Sequence, residues 1–317
     1  MRRVAGVLGI DVGGTKVAVA RVEGAQAHDG VEHPTDLSSP EALLDGIAAA
    51  VAEVGGDPQA VGVGVPSQIE FATGTVLSSV NIPLAGVPLR EELGRRFGVP
   101  VVIDNDANCA ALAEAQLVPD PPAQHLVMLT LGTGVGGGIV IDGSIERGHF
   151  GLGAEMGHVI LDGVTTLAAT EPGFPRPGSL EWLCSGTGLE RAATEVAGTR
   201  VSGREAVKAA QEGDEDMLAV FDRLGRWLGL GIAGVVNTFE PEYVVIGGGL
   251  SRAAELFLDV ACEEAARNTL PALWERSSVT LARGGANAGV IGAGVLAAQE
   301  LAASVDTAQQ GTDEGVR

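Results

Sequence analysis

The stretch "GIDVGGTKVAVARVEG", residues 9–24, decides the fold. It is an apolar run closed by an acid, then two glycines, Thr-Lys and a second apolar run. Glycine-rich turns that touch phosphate occur in three architectures, which differ in what surrounds the glycines. A Walker loop needs G-x-x-x-x-G-K-[ST] ahead of a helix, and "DVGGTKV" has neither that spacing nor that order. A dinucleotide-binding turn needs G-x-G-x-x-G opening a helix, so that pyrophosphate meets the helix N-terminus. Here Gly13 and Gly14 lead into "TKVAVARV", whose alternating valines predict a strand. The unit is strand–glycine turn–strand, a hairpin with a tip of nearly bare backbone. Backbone N–H groups at such a tip can approach phosphate oxygens, and Thr15 adds a hydroxyl donor. Taken alone, a Gly-Gly pair reads better as an ordinary hairpin turn.

A second hairpin changes that balance. In "LVMLTLGTGVGGGIVIDG", residues 126–143, a strand again runs into glycines and a strand, "GIVI", emerges. Gly132, Gly134 and Gly137 match G-x-G-x-x-G only through composition, because no helix follows. The echo, about 120 residues after the first hairpin, predicts two similar halves facing each other. A phosphate loop from each wall of a cleft suits a triphosphate nucleotide.

Bulk properties exclude several functions. The 317 residues allow one large domain or two ordinary ones, and 45% hydrophobic with 19% charged residues is a globular composition. A formal net charge of −21 repels nucleic acid and anionic membranes, so neither is an expected partner. No apolar run reaches the ~18 residues of a membrane span, and the N-terminus enters a strand with no signal-peptide pattern. Cys109, Cys184 and Cys262 are widely separated and odd in number, which predicts reduced thiols and a cytoplasmic protein.

Between the hairpins, "VVIDNDANCAALAEAQ" (101–116) predicts a strand ending at Ile103 and a helix from near Ala107. Asp104, Asn105, Asp106 and Asn108 crowd the junction. Capping accounts for one or two of them; a carboxylate at a strand end is also where a general base for a substrate hydroxyl is placed. The D-x-D-x-N opening is not a calcium loop, since Cys109 replaces the required glycine. In "GAEMGHVILD" (153–162), Glu155 and His158 lie three apart around a glycine, a polar binding pattern. In "PEYVVIGGGLSRAAELF" (241–257), a strand, Gly247–Gly249 and a helix from about Ser251 would let a flat group lie on backbone.

These segments, in this order, resemble the ROK family of sugar kinases and repressors within the hexokinase–actin–Hsp70 superfamily. The resemblance covers roughly residues 7–300 and is carried by "GIDVGGTK", "VGVGVPSQIE", "DNDAN", "TLGTGVGGGIV", "GAEMGH", "GSLEWLCSGTGLER", "PEYVVIGGGLS" and "GANAGVIGAGVLA". It implies an α/β protein of two ribonuclease-H-like, actin-like domains flanking a cleft, with mixed sheets and helices, usually a homodimer, using ATP and Mg²⁺. By the same resemblance Asp106 is the catalytic base. Asn81, Asn105, Glu155, His158 and Glu181 hold the sugar. Asp11 sits by magnesium and its waters. Gly13, Gly14 and Thr15, with Gly132, Thr133 and Gly134, cradle phosphates, and Gly247, Gly248 and Gly249 lie under adenosine. Lys16, one of two lysines, is a phosphate contact or simply solvated.

The site pattern looks most like a glucokinase; kinases of N-acetylmannosamine, N-acetylglucosamine or fructose share it closely. A DNA-binding repressor would carry a helix-turn-helix domain before the first hairpin and suits the negative charge poorly. A non-catalytic sugar-binding regulator should have lost Asp106. Polyphosphate as donor would call for a basic groove, and there is no Lys/Arg run. The expected domains are 1–116 (small), with a helix about 288–304 packing back on it, 117–287 (large), and a disordered tail, 305–317. The chain also departs from the family: the stretch after His158 (159–183) contains no cysteine, whereas many members carry a zinc-binding Cys-rich segment there. A structural zinc needs four N or S ligands, so a zinc-free enzyme is expected, with a loop bearing Pro172, Pro175 and Pro177 in place of the metal.

Overall fold

The strand β1 (Val7–Val12) is buried along its length except at Asp11, which is half-buried. It is the centre of the first sheet in the computed structural model, which describes residues 6–117 and 121–313, the side chains only as far as residue 304. β1 pairs antiparallel with β2 (Lys16–Glu23), which pairs with β3 (Gln26–Pro34). After helix α1 (Pro40–Val54), β4 (Ala60–Val65) returns parallel to β1. The small hairpin β5 (Ser67–Glu70) and β6 (Thr75–Ser79) and helix α2 (Leu89–Phe97) lead to β7 (Val101–Asn105), parallel to β4. The sheet order is β3-β2-β1-β4-β7. Helix α3 (Asp106–Leu117) follows β7 directly.

The same order is then built again. β8 (Leu126–Leu131) pairs antiparallel with β9 (Val135–Ile141), and β10 (Ser144–Ile145) follows. The short helices α4 (Gly163–Ala168) and α5 (Leu180–Cys184) precede α6 (Gly186–Ala197), α7 (Gly203–Gln211) and the long α8 (Glu215–Phe239). β11 (Tyr243–Gly247) joins β8 in parallel and, after α9 (Leu258–Asn268) and α10 (Pro271–Trp274), β12 (Ser278–Leu281) joins β11. The second order is β10-β9-β8-β11-β12, so the echo between the two hairpins reflects duplicated topology. Local signals set the helix ends. Ser39, Ser185 and Asp214 accept from N-terminal N–H groups, Ser202 and Glu205 form a capping box, and Gly98 and Gly198 end α2 and α6 in the left-handed region.

The glycine alternation in "VLGIDV" and "AVGVGV" has a packing cause. Leu8, Ile10, Val12, Val61, Val63 and Val65 share a core with α1 and α2. The residues between them face the opposite way, against the last helix, α11 (Ala288–Asp313), and α3. A Cβ at Gly9 would overlap the Val290 carbonyl, and one at Gly62 the Ala293 carbonyl. Helix backbone therefore lies directly on strand backbone.

The chain divides into one unit of residues 1–122, 143–153 and 283–317 and another of 123–142 and 154–282. Residues 143–153, inside the stretch expected to be large domain, group with the first unit. α11 packs on α3, β1 and β4 and continues to Asp313, where a disordered tail was expected from 305; residues 314–317 lie outside the described residues. No described helix is long and apolar enough to cross a membrane.

Candidate functional site

In each unit the singled-out residues gather where parallel strands end. Across the first sheet, Asp11 lies opposite Gly64, Gly64 opposite Asp104, and Val65 opposite Asn105. The carboxyl ends of β1, β4 and β7 thus bring Asp11, Asn105 and Asp106 to one edge, the edge at which open α/β sheets bind ligands. Asp11 is on the α11 side, against the first turn of that helix: a Cβ at Gly289 would lie 2.6–2.8 Å from its carboxylate. Burial, reinforced by the nearby charge of Asp106 and opposed by Lys16, raises the Asp11 pKa to about 6. Burial likewise raises the pKa of Asp106, against the pull of the Ala107 N–H, which donates to Oδ1 at 2.9 Å.

The crowded junction divides its work. Asn105 caps α3, its Oδ1 accepting from the N–H groups of Ala107 (2.9 Å) and Asn108 (3.4 Å). The buried Asp104 accepts from the Asn105 N–H and from Asn108 Nδ2, both at 2.8 Å, and from Arg147 Nε at 2.5 Å. The Arg147 guanidinium also lies 3.9 Å from the centre of the Phe71 ring. Of the two carboxylates, Asp104 has side-chain partners, whereas among the described residues no other side chain bonds that of Asp106.

The first hairpin tip follows the same economy. Gly13 N–H donates to the Lys16 carbonyl (2.8 Å), while Thr35 donates from Oγ1 to the Gly13 carbonyl (2.7 Å) and from N–H to the Thr15 carbonyl (3.1 Å). Among the described residues the N–H groups of Gly14 and Thr15 have no partner. Lys16 is ion-paired with Glu32 at the surface. Asn81 is exposed, and its carbonyl would be 3.5 Å from a Cβ on Gly14.

In the second unit the turn Gly132–Gly134 is fixed on three sides. Gly132 N–H donates to the Gly134 carbonyl (2.9 Å), Gly186 N–H to the Gly132 carbonyl (2.7 Å), and Thr187 Oγ1 to the Thr133 carbonyl (2.8 Å). The N–H groups of Thr133 and Gly134 have no partner among the described residues. Glu181 Oε2 accepts from Val135 N–H at 2.8 Å, and its carboxylate fills the space that a side chain at Gly134 would need. Glu155 and His158 bracket a single 3₁₀ turn, Met156–His158, seated on β9, with Nε2 of His158 3.8 Å from Oε2 of Glu155. The ring of His158 stands edge-on to Phe174, centres 5.3 Å apart, in the proline-bearing loop. At the end of β11, Gly248 has φ +83° and a Cβ there would strike the backbone of Leu131, whereas Gly249 faces open space. The element after the glycines is a 3₁₀ helix, Gly249–Leu256, beginning two residues before the expected Ser251. Among the described residues no three His, Cys, Asp or Glu side chains are grouped to hold a metal.

Sequence reasoning missed Thr35, Thr187 and the Asp104–Arg147 pair. Thr35 is about 20 residues from the tip that it ties, and nothing local in "HPTDL" signals that contact.

Two sheets of one topology, each with a glycine hairpin beside a parallel strand, define an actin-like fold of two domains. The family model described as ROK family matches residues 7–300. The chain is 33% identical over 312 residues to a glucokinase of Streptomyces coelicolor, covering 92% of this chain and 96% of that protein. It is similar to the crystal structure of a ROK hexokinase from Thermus thermophilus, with TM-score 0.84, 35% identity and coverage of 93% and 99%. A ROK family glucokinase from Streptomyces griseus, solved in complex with glucose and AMPPNP, gives a TM-score of 0.74 at 32% identity, covering 93% of this chain and all of that one (100%). The chain belongs to the ROK family.

Proposed function

We propose that this ROK sugar kinase is an ATP-dependent glucokinase that phosphorylates the 6-hydroxyl of glucose, with Asp106 as general base. One observation carries the proposal: Asp106 stands at the carboxyl edge of the first sheet, partly buried, its pKa raised, and among the described residues bonded by backbone N–H but by no other side chain. Withdrawal from water raises the basicity of a carboxylate, which makes its ionised form a better proton acceptor than a free one. A sugar hydroxyl is too weak an acid to ionise beforehand. Its oxygen attacks the γ-phosphorus as Asp106 takes the proton, the bond to the β–γ bridging oxygen breaks, and ADP leaves. Such transfers run through a loose transition state in which positioning and charge stabilisation supply most of the catalysis.

The unpaired N–H pairs at Gly14–Thr15 and Thr133–Gly134 suit phosphate oxygens, and the open face of Gly249 suits a flat base. Glu155, His158 and Glu181, with Asn81 and Asn105, are assigned to the sugar, whose hydroxyls can each donate to a carboxylate oxygen. The glucose and ATP analogue held by the Streptomyces griseus relative support the choice of these two ligands. Mg²⁺ fits Asp11, a half-buried carboxylate whose pKa is raised by burial and by the nearby charge of Asp106, both of which a cation would offset. Bound there through water, the ion would offset charge on the phosphates.

Asp106→Asn tests the assignment, since it keeps the shape of the side chain and removes the proton acceptor. Turnover with ATP and glucose should fall by the roughly 10²–10⁴-fold typical of general-base loss, with glucose binding retained. Wild-type turnover in the variant would contradict the role.

A further inference from the structure

We propose that Thr35 and Thr187 are positioning residues for the phosphoryl donor, each holding one glycine hairpin in the peptide orientation that turns its N–H groups outward. The inference rests on the kinase reading above. A trans peptide is planar, so its C=O and N–H point in opposite directions. Fixing a carbonyl therefore fixes the N–H of the next residue. Thr35 Oγ1 holds the Gly13 carbonyl at 2.7 Å, which turns the Gly14 N–H away from Thr35. Thr187 Oγ1 holds the Thr133 carbonyl at 2.8 Å, which turns the Gly134 N–H away from α6. These are the tip N–H groups left without partners, together with those of Thr15 and Thr133.

The need for a tie comes from the glycines. The peptide between Gly13 and Gly14 is flanked by two residues with little steric restriction, so nothing in the turn itself opposes a flip that would present a carbonyl oxygen to an anion. At the second tip the Gly186 N–H already holds the Gly132 carbonyl, and Thr187 secures the next peptide along, chiefly through its hydroxyl at 2.8 Å and more weakly through its own N–H at 3.4 Å, which a valine would keep. The two threonines come from unrelated places, one after the edge strand β3 and the other in the first turn of α6, yet each bonds a tip carbonyl through its hydroxyl. That convergence in two separately built hairpins is the evidence for a shared task.

The test compares Thr35→Val, Thr187→Val and the double variant with Thr35→Ser and Thr187→Ser in the full chain. Steady-state kinetics with ATP, Mg²⁺ and glucose is combined with calorimetric binding of a non-hydrolysable ATP analogue and with Tm. Loss of one hydrogen bond of ordinary strength predicts a roughly three- to tenfold weaker binding of the analogue for each valine. KM for ATP should follow and KM for glucose should stay within about twofold. The two effects should multiply in the double variant, because the ties are in different hairpins. Serine, which keeps the hydroxyl, should restore wild-type values. Valine variants with unchanged nucleotide parameters, or serine variants as impaired as the valines, would overturn the proposal. If the wild-type chain neither binds the analogue nor phosphorylates a hexose, the kinase reading itself falls; a fully active wild type with indifferent valine variants removes only the role of the threonines.

Discussion

At the scale of single residues, the first sheet carries a carboxylate that costs stability. Asp11 is half-buried near Asp106, and its pKa is raised from 3.8 to about 6. The folded chain therefore holds the Asp11 proton more tightly than the unfolded chain does. Stability from this group is full below the unfolded pKa and is lost as pH rises from 3.8 through about 6. Asp11→Asn should accordingly be more stable than wild type at pH 8, by at most about 3 kcal/mol at ~1.4 kcal/mol per pKa unit. The difference should shrink towards pH 4. Denaturant titrations without Mg²⁺ across that range check it, and a less stable variant at pH 8 would refute the electrostatic account. The position of Asp11 was legible in the sequence because an acid closing an apolar strand before glycines has few structural uses. The partners of Asp104 were not. Arg147 arrives from 43 residues away, a contact made by long-range packing and unmarked in either segment.

At the scale of elements, glycine has two distinct meanings in this chain. Gly62 lies under the backbone of α11, where an added Cβ would overlap the Ala293 carbonyl; neither backbone can move without disturbing the sheet. Gly62→Ala should destabilise by about 1–3 kcal/mol or more, the usual cost of overpacking. Gly46, on α1, has open space around its Cβ position, and Gly46→Ala should instead stabilise by roughly 0.5–1 kcal/mol. Chemical denaturation of the two variants makes the comparison, and equal effects would mean that the helix does not rest on the strand as described. The hairpins themselves were readable from the sequence, because a β-branched run resumes after each glycine turn, "KVAVARV" in the first and "GIVI" in the second. The 3₁₀ helix after Gly248 was not, and the close approach of Gly248 to the Leu131 backbone beside it is a long-range contact unmarked in "IGGGLS". The close seating of α11 was equally hidden: "GANAGVIGAG" shows small residues, but not which strand they approach.

At the scale of the whole molecule, one topology occurs twice, and each copy brings its glycine turn and candidate site residues to the carboxyl ends of parallel strands. The repeat was visible as two hairpins whose first glycines are 119 residues apart, Gly13 and Gly132. The return of residues 143–153 to the first unit was invisible, because unit membership follows from contacts such as Gly151 against Phe71 and Arg147 with Asp104. The strongly negative chain, with a net charge of −21, gives an anionic donor no general attraction, so on the proposed reading recognition of ATP would fall to the local N–H groups and a metal ion. Recognition of the sugar is a finer matter: on the proposed assignment a carboxylate such as Glu181 would accept from a hydroxyl, and an analogue that lacks the hydroxyl would lose that bond. The most direct measurement is therefore kcat/KM with ATP and Mg²⁺ for glucose, N-acetylmannosamine, N-acetylglucosamine and fructose, read in one coupled assay that detects ADP. Glucose is predicted to give the highest value, with glucose 6-phosphate as product. A value at least about tenfold higher, some 1.4 kcal/mol in transition-state binding, for either N-acetylated sugar would contradict the account.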